Sequence, residues 1–259
     1  MYTPMRTRLD KDTTQSASLP TAAPRSSAAD KVYHGLRNDI RAGNVYPWDR
    51  LTEKSVADYF GVSRTPVREA VGRLIAEGLL QRHSDGFGLL MPDVDTINGL
   101  YESRLAIELQ GIRRVADGAG KYHHALLEEQ RRHWEAVLAD PPTAEPSLTA
   151  WDEDFHRSVL AAAGEPALVE VLSYINDRIR ALRMYGYIAS EQVISSAQSH
   201  LKILDALLQG RYEEGMELLT DHIVTNRTSS LARALQGSQS AGFTRIPGHA
   251  PSGTSHTLP

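Results

Sequence analysis

The sequence predicts a mainly α protein, with a winged helix-turn-helix in front of an all-α antiparallel helical bundle. Three observations carry that prediction. Gly61 to Leu80, GVSRTPVREAVGRLIAEGLL, reads as a tight turn opening a short amphipathic helix that holds Arg64, Arg68 and Arg73. Directly after it, LLQRHSDGFGLLMP sets two short apolar runs around Asp85-Gly86, a hairpin signal. From Val94 to Leu235, apolar residues recur at helical spacing almost without a break.

In chain order, Asp30 to Ala42 is expected to be a helix with Val32, Leu36 and Ile40 on one side, ended by Gly43. Thr52 can cap a second helix, EKSVADYF, whose expected buried face is Val56, Tyr59 and Phe60 and whose stop is Gly61 in the left-handed conformation. Ser63 or Thr65 can cap the third. Pro66 is tolerated in its first turn, where N–H groups lack intrahelical partners. Val67, Val71, Leu74 and Ile75 seat this third helix on a core. Arg64, Thr65 and Arg68 then cluster in its first turns, where side chains and free N–H groups can meet a phosphate or a base edge. A surface helix with solvated arginines is the bland alternative, and the helix before and hairpin after argue against it. Six bundle helices are expected at about 95–117, 122–138, 147–163, 166–187, 190–209 and 212–235. Their stops are Gly118-Ala119-Gly120, Pro141-Pro142, Gly164 and Gly210. Antiparallel packing of such helices is the simple solution.

Composition fits this plan. A chain of 259 residues suffices for two domains with real cores. The absence of cysteine excludes disulfide and thiolate chemistry. There is no run of about 18 apolar residues and no apolar signal core, so a cytoplasmic protein without membrane attachment is expected. A net charge of −4 argues against indiscriminate nucleic-acid binding by the whole chain but not against a local basic patch. Nine Lys and Arg residues from Lys31 to Arg82 lie in the first module, and the acidic excess falls in the second. The expected organisation is a disordered segment 1–29, a winged domain 30–93, a helical domain 94–236 and a disordered tail 237–259 holding His249 and His256.

A second constellation sits in the helical part. In WDEDFHRSVL, Asp152 and His156 lie at i and i+4, on one helix face. His200 and His222 fall on two later helices. One Asp and three His form a ligand set for Zn, Ni, Mn or Fe, because imidazole suits borderline metals and a carboxylate lowers the net charge. From spacing alone, scattered surface histidines compete with that reading, as His123, His124 and His133 illustrate.

The stretch IRAGNVYPWDRLTEKSVADYFGVSRTPVREAVGRLIAEGLL resembles the amino-terminal domain of GntR-family transcriptional regulators, over roughly Lys31 to Pro92. The resemblance implies that Lys54, Arg64, Thr65 and Arg68 contact DNA, with Gly86 at the wing tip. Two departures stand out. Trp48 occupies the place of the usual glycine after Pro47, and Asp85 that of the usual wing arginine, so weak minor-groove binding by this wing is expected. The pieces Asp152 to His156, Ala163 to Pro166, His200 to Gly215 and His222 are similar to the FCD effector domain of FadR-type members, with Gly215 where alanine is usual. That resemblance implies a divalent metal on Asp152, His156, His200 and His222, and a small carboxylate effector completing its coordination. It also implies that Arg104 anchors the carboxylate. An i,i+4 pair of Arg104 with Glu108 on a solvated face is the alternative.

The expected function is a ligand-responsive transcription factor. A homodimer would present two recognition helices to a roughly palindromic double-stranded operator, with repression relieved by the effector. Two rivals remain: a metal-dependent hydrolase or oxygenase built on the bundle, and a metal-free regulator holding an acyl-type ligand.

Overall fold

Helix α1 (Ala28–Arg41) begins two residues ahead of its expected start because Ser27 caps it. The Ser27 hydroxyl accepts from the Asp30 amide while the Asp30 carboxylate accepts from the Ser27 amide, which satisfies two otherwise orphaned donors. Thr52 and Ser55 make the same reciprocal cap at α2 (Glu53–Phe60), and Gly61 ends that helix in the left-handed region at φ 65°. Val56 and Ala57 face the core, whereas Tyr59, expected inside, is 59% exposed. Ala57, two residues before Tyr59, points inward, and the roughly 200° between them carries Tyr59 out. Helix α3 (Arg64–Ala76) follows Ser63, whose side chain makes no capping bond, and buries Val67, Ala70, Val71 and Leu74.

Strands β1 (Leu80–His83) and β2 (Gly86–Leu89) form the wing, antiparallel with Leu80 opposite Leu89 and His83 opposite Gly86. Leu51 pairs with Phe87 as a short third edge. That closeness explains Gly86: its φ is 154°, and a Cβ there would lie 2.3 Å from the Leu51 carbonyl oxygen.

The computed structural model describes residues 27–239; the readings made for residues 1–26 and 240–259, including His249 and His256, lie outside the described residues. The bundle comprises α4 (Val94–Ala116), α5 (His124–Ala139), α6 (Thr149–Ala162), α7 (Pro166–Met184), α8 (Ser190–Leu208) and α9 (Tyr212–Gln239). Short 3₁₀ turns at Pro146–Leu148 and Gly186–Ile188 replace the outer turns expected of α6 and α7. Helix α9 runs past the expected boundary at residue 236. Its core gathers Trp134, Phe155, Ile179, Ile203, Leu204, Leu219 and Ile223. A Cβ on Gly215 would meet Leu207 Cδ2 at 2.8 Å, so the missing methyl lets α9 lie close on α8. Among the described residues no helix is long and apolar enough to cross a membrane.

Helix α7 belongs to both halves. Ala181 and Met184 are buried in the same apolar cluster as the winged module's core residues. The unusual Trp48 packs edge-on against Tyr185 just beyond α7, with ring centres 5.8 Å apart, so that departure buttresses the joint.

Candidate metal centre and nucleic-acid face

Lys54, Arg64, Thr65 and Arg68 are all exposed, on the start of α2 and the first turns of α3. Arg68 is held by a fork: its Nε donates to Glu53 Oε1 at 3.0 Å and its Nη2 to Glu53 Oε2 at 2.8 Å. Arg73 turns the other way, donating to Asp30 at 2.8 Å with its guanidinium 3.8 Å from the centre of the Tyr33 ring. It therefore braces α3 on α1. At the wing, the Asp85 carboxylate sits 3.9 Å from Arg50 Nε, which partly offsets its repulsion of phosphate.

The second group forms because apolar stripes aim polar residues inward. On α8, His200 shares its stripe with Val193, Ala197, Ile203, Leu204 and Leu207. On α6, Asp152 and His156 share theirs with Phe155 and Val159. On α9, His222 lies beside Leu219 and Ile223. All four candidate ligands are at most 5% exposed, and one ligand atom from each lies within 4.8 Å of every other. Nε2 of His222 is 3.2 Å from Nε2 of His156 and 3.1 Å from Nε2 of His200. Asp152 Oδ1 is 3.2 Å from His200 Nε2.

The surrounding bonds assign the tautomers of His156 and His222. His156 Nδ1–H donates to Glu108 Oε2 at 2.6 Å. The Ser199 hydroxyl donates to the Ser196 carbonyl, leaving its lone pair for His222 Nδ1–H at 2.6 Å. The Asn226 amide points at His222 Nε2 from 3.0 Å. Unprotonated Nε2 atoms of His156 and His222 thus stand 3.2 Å apart, and although the Asn226 amide serves His222, neither ring donates to the other; a cation between them relieves the contact. Donors bound to one ion by bonds of about 2.1 Å stand about 3.0–3.4 Å apart. The residues present fit a divalent metal.

The electrostatics agree. Burial would raise Asp152, but the Arg183 guanidinium holds its carboxyl well below the usual range. Burial and the Arg104 guanidinium push His156 down to about 4, against the pull of Glu108 and Asp152. Burial and the neighbouring His222 push His200 down as well. Both rings are therefore neutral, as ligands must be. A folded pKa below the unfolded value means these rings contribute stability above the ordinary 6.5 that is lost as pH falls towards about 4. Urea midpoints of the metal-free protein are expected to be flat above that window and to decline through it. A decline confined to below the window would mean that the rings are protonated in the folded state.

The structure also places residues the sequence reading missed. Arg183 donates to Asp152 Oδ2, and Tyr187 O–H donates to Asp152 Oδ1 at 2.7 Å. Together with Gln192, Asn226 and Ser230 they line a cavity of about 10 Å³, room for one water. Arg104 is not in that wall. It makes its i,i+4 pair with Glu108 at 2.6 Å, but fully buried rather than solvated, and so reaches His156 through Glu108. Burial would raise the Glu108 carboxyl, yet His156 and Arg104 hold it at about 2. Arg104 Nη2 and the Tyr101 hydroxyl, both buried, have no hydrogen-bond partner among the described residues. One sequence signal pointed here: Arg180 and Arg183 interrupt the buried run Ile179, Ala181, Leu182, Met184, and buried cations need carboxylates.

Comparison with known proteins matches both halves of the chain. The family model for bacterial regulatory proteins of the gntR family matches residues 28–86, and the FCD domain model matches residues 99–225. The chain is 25% identical over 193 residues to the HTH-type transcriptional regulator YdhC of Bacillus subtilis, covering 74% of this chain and 86% of that one. It is 22% identical over 202 residues to the HTH-type transcriptional repressor GlaR of Escherichia coli, covering 74% and 91%. The solved structure of E. coli McbR/YncC superposes with a TM-score of 0.63 at 19% identity, over 80% of this chain and 99% of that one, and so shares the fold.

Proposed function

The chain belongs to the GntR family of bacterial regulatory proteins and carries an FCD domain, and from that premise we propose that its DNA binding is governed by a divalent metal and a small carboxylate. Residues 30–93 read a roughly palindromic operator as part of a homodimer, and residues 94–236 sense the ligand. Lys54, Arg64, Thr65 and Arg68, with Gly86 at the wing tip, meet the duplex. Arginine suits this work because its fork pairs with guanine or clamps phosphate. The sign of control is repression, as in GlaR, and the site of action is the cytoplasm.

The convergence of three imidazole Nε2 atoms and the Asp152 carboxylate supports this reading most directly. Asp152, His156, His200 and His222 hold the metal, which supplies an open coordination position for an anionic oxygen. Glu108 and Ser199 fix the His156 and His222 rings. Arg104 offers its unpartnered Nη2 to the carboxylate. A cavity of about 10 Å³ admits no organic acid, so entry requires Arg183 or Tyr187 to give way. The matched families are regulatory rather than enzymatic, which leaves the hydrolase or oxygenase reading without support.

Magnitudes constrain the switch. Coupling of about 1–3 kcal/mol per effector is typical, whereas driving a balance from 1:99 to 99:1 takes about 5.5 kcal/mol. Two sites per dimer approach that range. The test is duplex binding at moderate salt, comparing promoter fragments from the gene's own chromosomal neighbourhood with random DNA. Preference for the former, altered by metal with a carboxylate, is expected; equal binding to both would defeat the operator reading.

A further inference from the structure

Helix α7 grips the candidate metal centre at one point and the reader at two others. Near its end, Arg183 pairs with Asp152 and places Nη1 3.2 Å from Glu153 Oε1. One turn earlier, Arg180 Nη2 lies 2.5 Å from Glu153 Oε2 and 3.4 Å from Asp177 Oδ1. Its Nη1 donates at 3.0 Å to the carbonyl oxygen of Arg41, the last residue of α1. Arg41 in turn forks onto Asp177 at 3.2 and 2.6 Å. Arg178 Nη2 donates at 2.8 Å to the carbonyl of Glu77, the residue that caps the end of α3. The two longer reader helices thus end on guanidinium groups of α7, where free carbonyls and the negative end of the helix dipole favour cations.

We propose that Glu153 and Arg180 are positioning residues that carry the state of Asp152 to the ends of α1 and α3. The proposal rests on the metal reading of that site. Three carboxylates, Asp152, Glu153 and Asp177, face three guanidiniums, Arg41, Arg180 and Arg183. All but Arg41 have side chains between 2% and 7% exposed. In such surroundings a charge stripped of its partner is costly, so the loss of one pair forces the others to exchange. Asp152 committed to a metal no longer neutralises Arg183. Arg183 then draws on Glu153, the carboxylate it already touches and which Arg180 also uses. Arg180 shifts its weight to Asp177, the carboxylate that holds Arg41. The Arg180 bond to the Arg41 carbonyl moves with it, and so does the last turn of α1. Arg178, two residues before Arg180 on the same helix, passes that adjustment to the end of α3.

Hydrogen–deuterium exchange on the full chain, with Mn²⁺ alone as the probe, reads this directly. The amides of Ala42, Gly43, Asn44, Glu77, Gly78 and Leu79 are expected to change exchange rate at least about threefold on metal binding. Glu153→Gln is expected to bind Mn²⁺ with the wild-type stoichiometry while that response disappears. Arg180→Lys keeps the charge, but its compact ammonium replaces the fork that serves Glu153 and the Arg41 carbonyl at once, and it is expected to behave alike. It also preserves the test should Glu153→Gln fail to fold. Asp152→Asn removes the carboxylate from Arg183 without any ion and is expected to shift the same amides as metal does in the wild type. A full response in Glu153→Gln or Arg180→Lys, or metal binding with silent amides in the wild type, overturns the proposal. A wild type that binds no Mn²⁺ overturns the metal reading instead, and the Asp152→Asn comparison alone then decides the path.

Discussion

Saturating divalent metal is expected to raise the thermal midpoint of the metal-free protein by about 8–16 °C, and His200→Ala to erase that shift. A ligand at a thousand times its Kd stabilises by about 4 kcal/mol, and each kcal/mol moves a chain of this size by about 2–4 °C. His200 is the sharpest place to test this because its ring is fixed on both sides. It stacks on Phe155 with centroids 3.7 Å apart at 18°, and the Trp134 ring meets it edge-on at 4.3 Å. Removing it also leaves a cavity worth about 2–5 kcal/mol of stability. Only the difference between metal-loaded and metal-free samples of the same variant is therefore informative. Calorimetric scans with metal analysis of each sample give that difference. A His200→Ala protein that keeps both the shift and stoichiometric metal would move the ion elsewhere.

The fold was legible because its punctuation and its periods agree. Gly43, Gly118, Gly164 and Gly210 all sit at positive φ near helix ends, and the apolar stripes between them mark the buried faces. The four candidate ligands were legible for a related reason. His200 sits within a stripe of Ala197, Ile203 and Leu204, and a histidine at such a position is buried whether or not it binds anything. What the sequence could not disclose was pairing between helices. Arg183 and Asp152 are 31 residues apart, and the apolar run around Arg180 hints at its burial but nothing local names Glu153 on α6 as its partner. Arg104 shows the same limit: its spacing to Glu108 gave the pair but not its burial, which decides whether the pair is worth tenths of a kcal/mol or organises His156. Tyr59 and Trp48 fail in opposite directions. One is an aromatic ring turned to solvent by helical phase, and the other an apparent departure that packs across the joint.

Arg68→Ala is expected to weaken binding to the cognate duplex about tenfold to a hundredfold while leaving random duplex nearly unchanged. The fold should not suffer, because Val67, Ala70, Val71 and Leu74 seat α3 and Arg68 points away from them. What Arg68 holds in the free protein is Glu53, through two hydrogen bonds on one edge of the guanidinium. That fork restricts the side chain before DNA arrives, so less rotamer entropy is lost when it reads a base. It also sets a negative charge beside the surface proposed to meet the groove, which disfavours phosphate as the partner. Both effects point to a guanine edge rather than the backbone. Fluorescence anisotropy over a salt series separates the two. A base contact lowers cognate affinity at an unchanged salt slope, whereas a phosphate contact weakens all duplexes alike and lowers the slope by about one. Glu53→Gln sharpens the distinction: loss of the brace should erode discrimination between cognate and random DNA even as removal of its charge tightens binding to both. If discrimination survives intact in Glu53→Gln, the fork is a resting place for Arg68 and contributes nothing to reading.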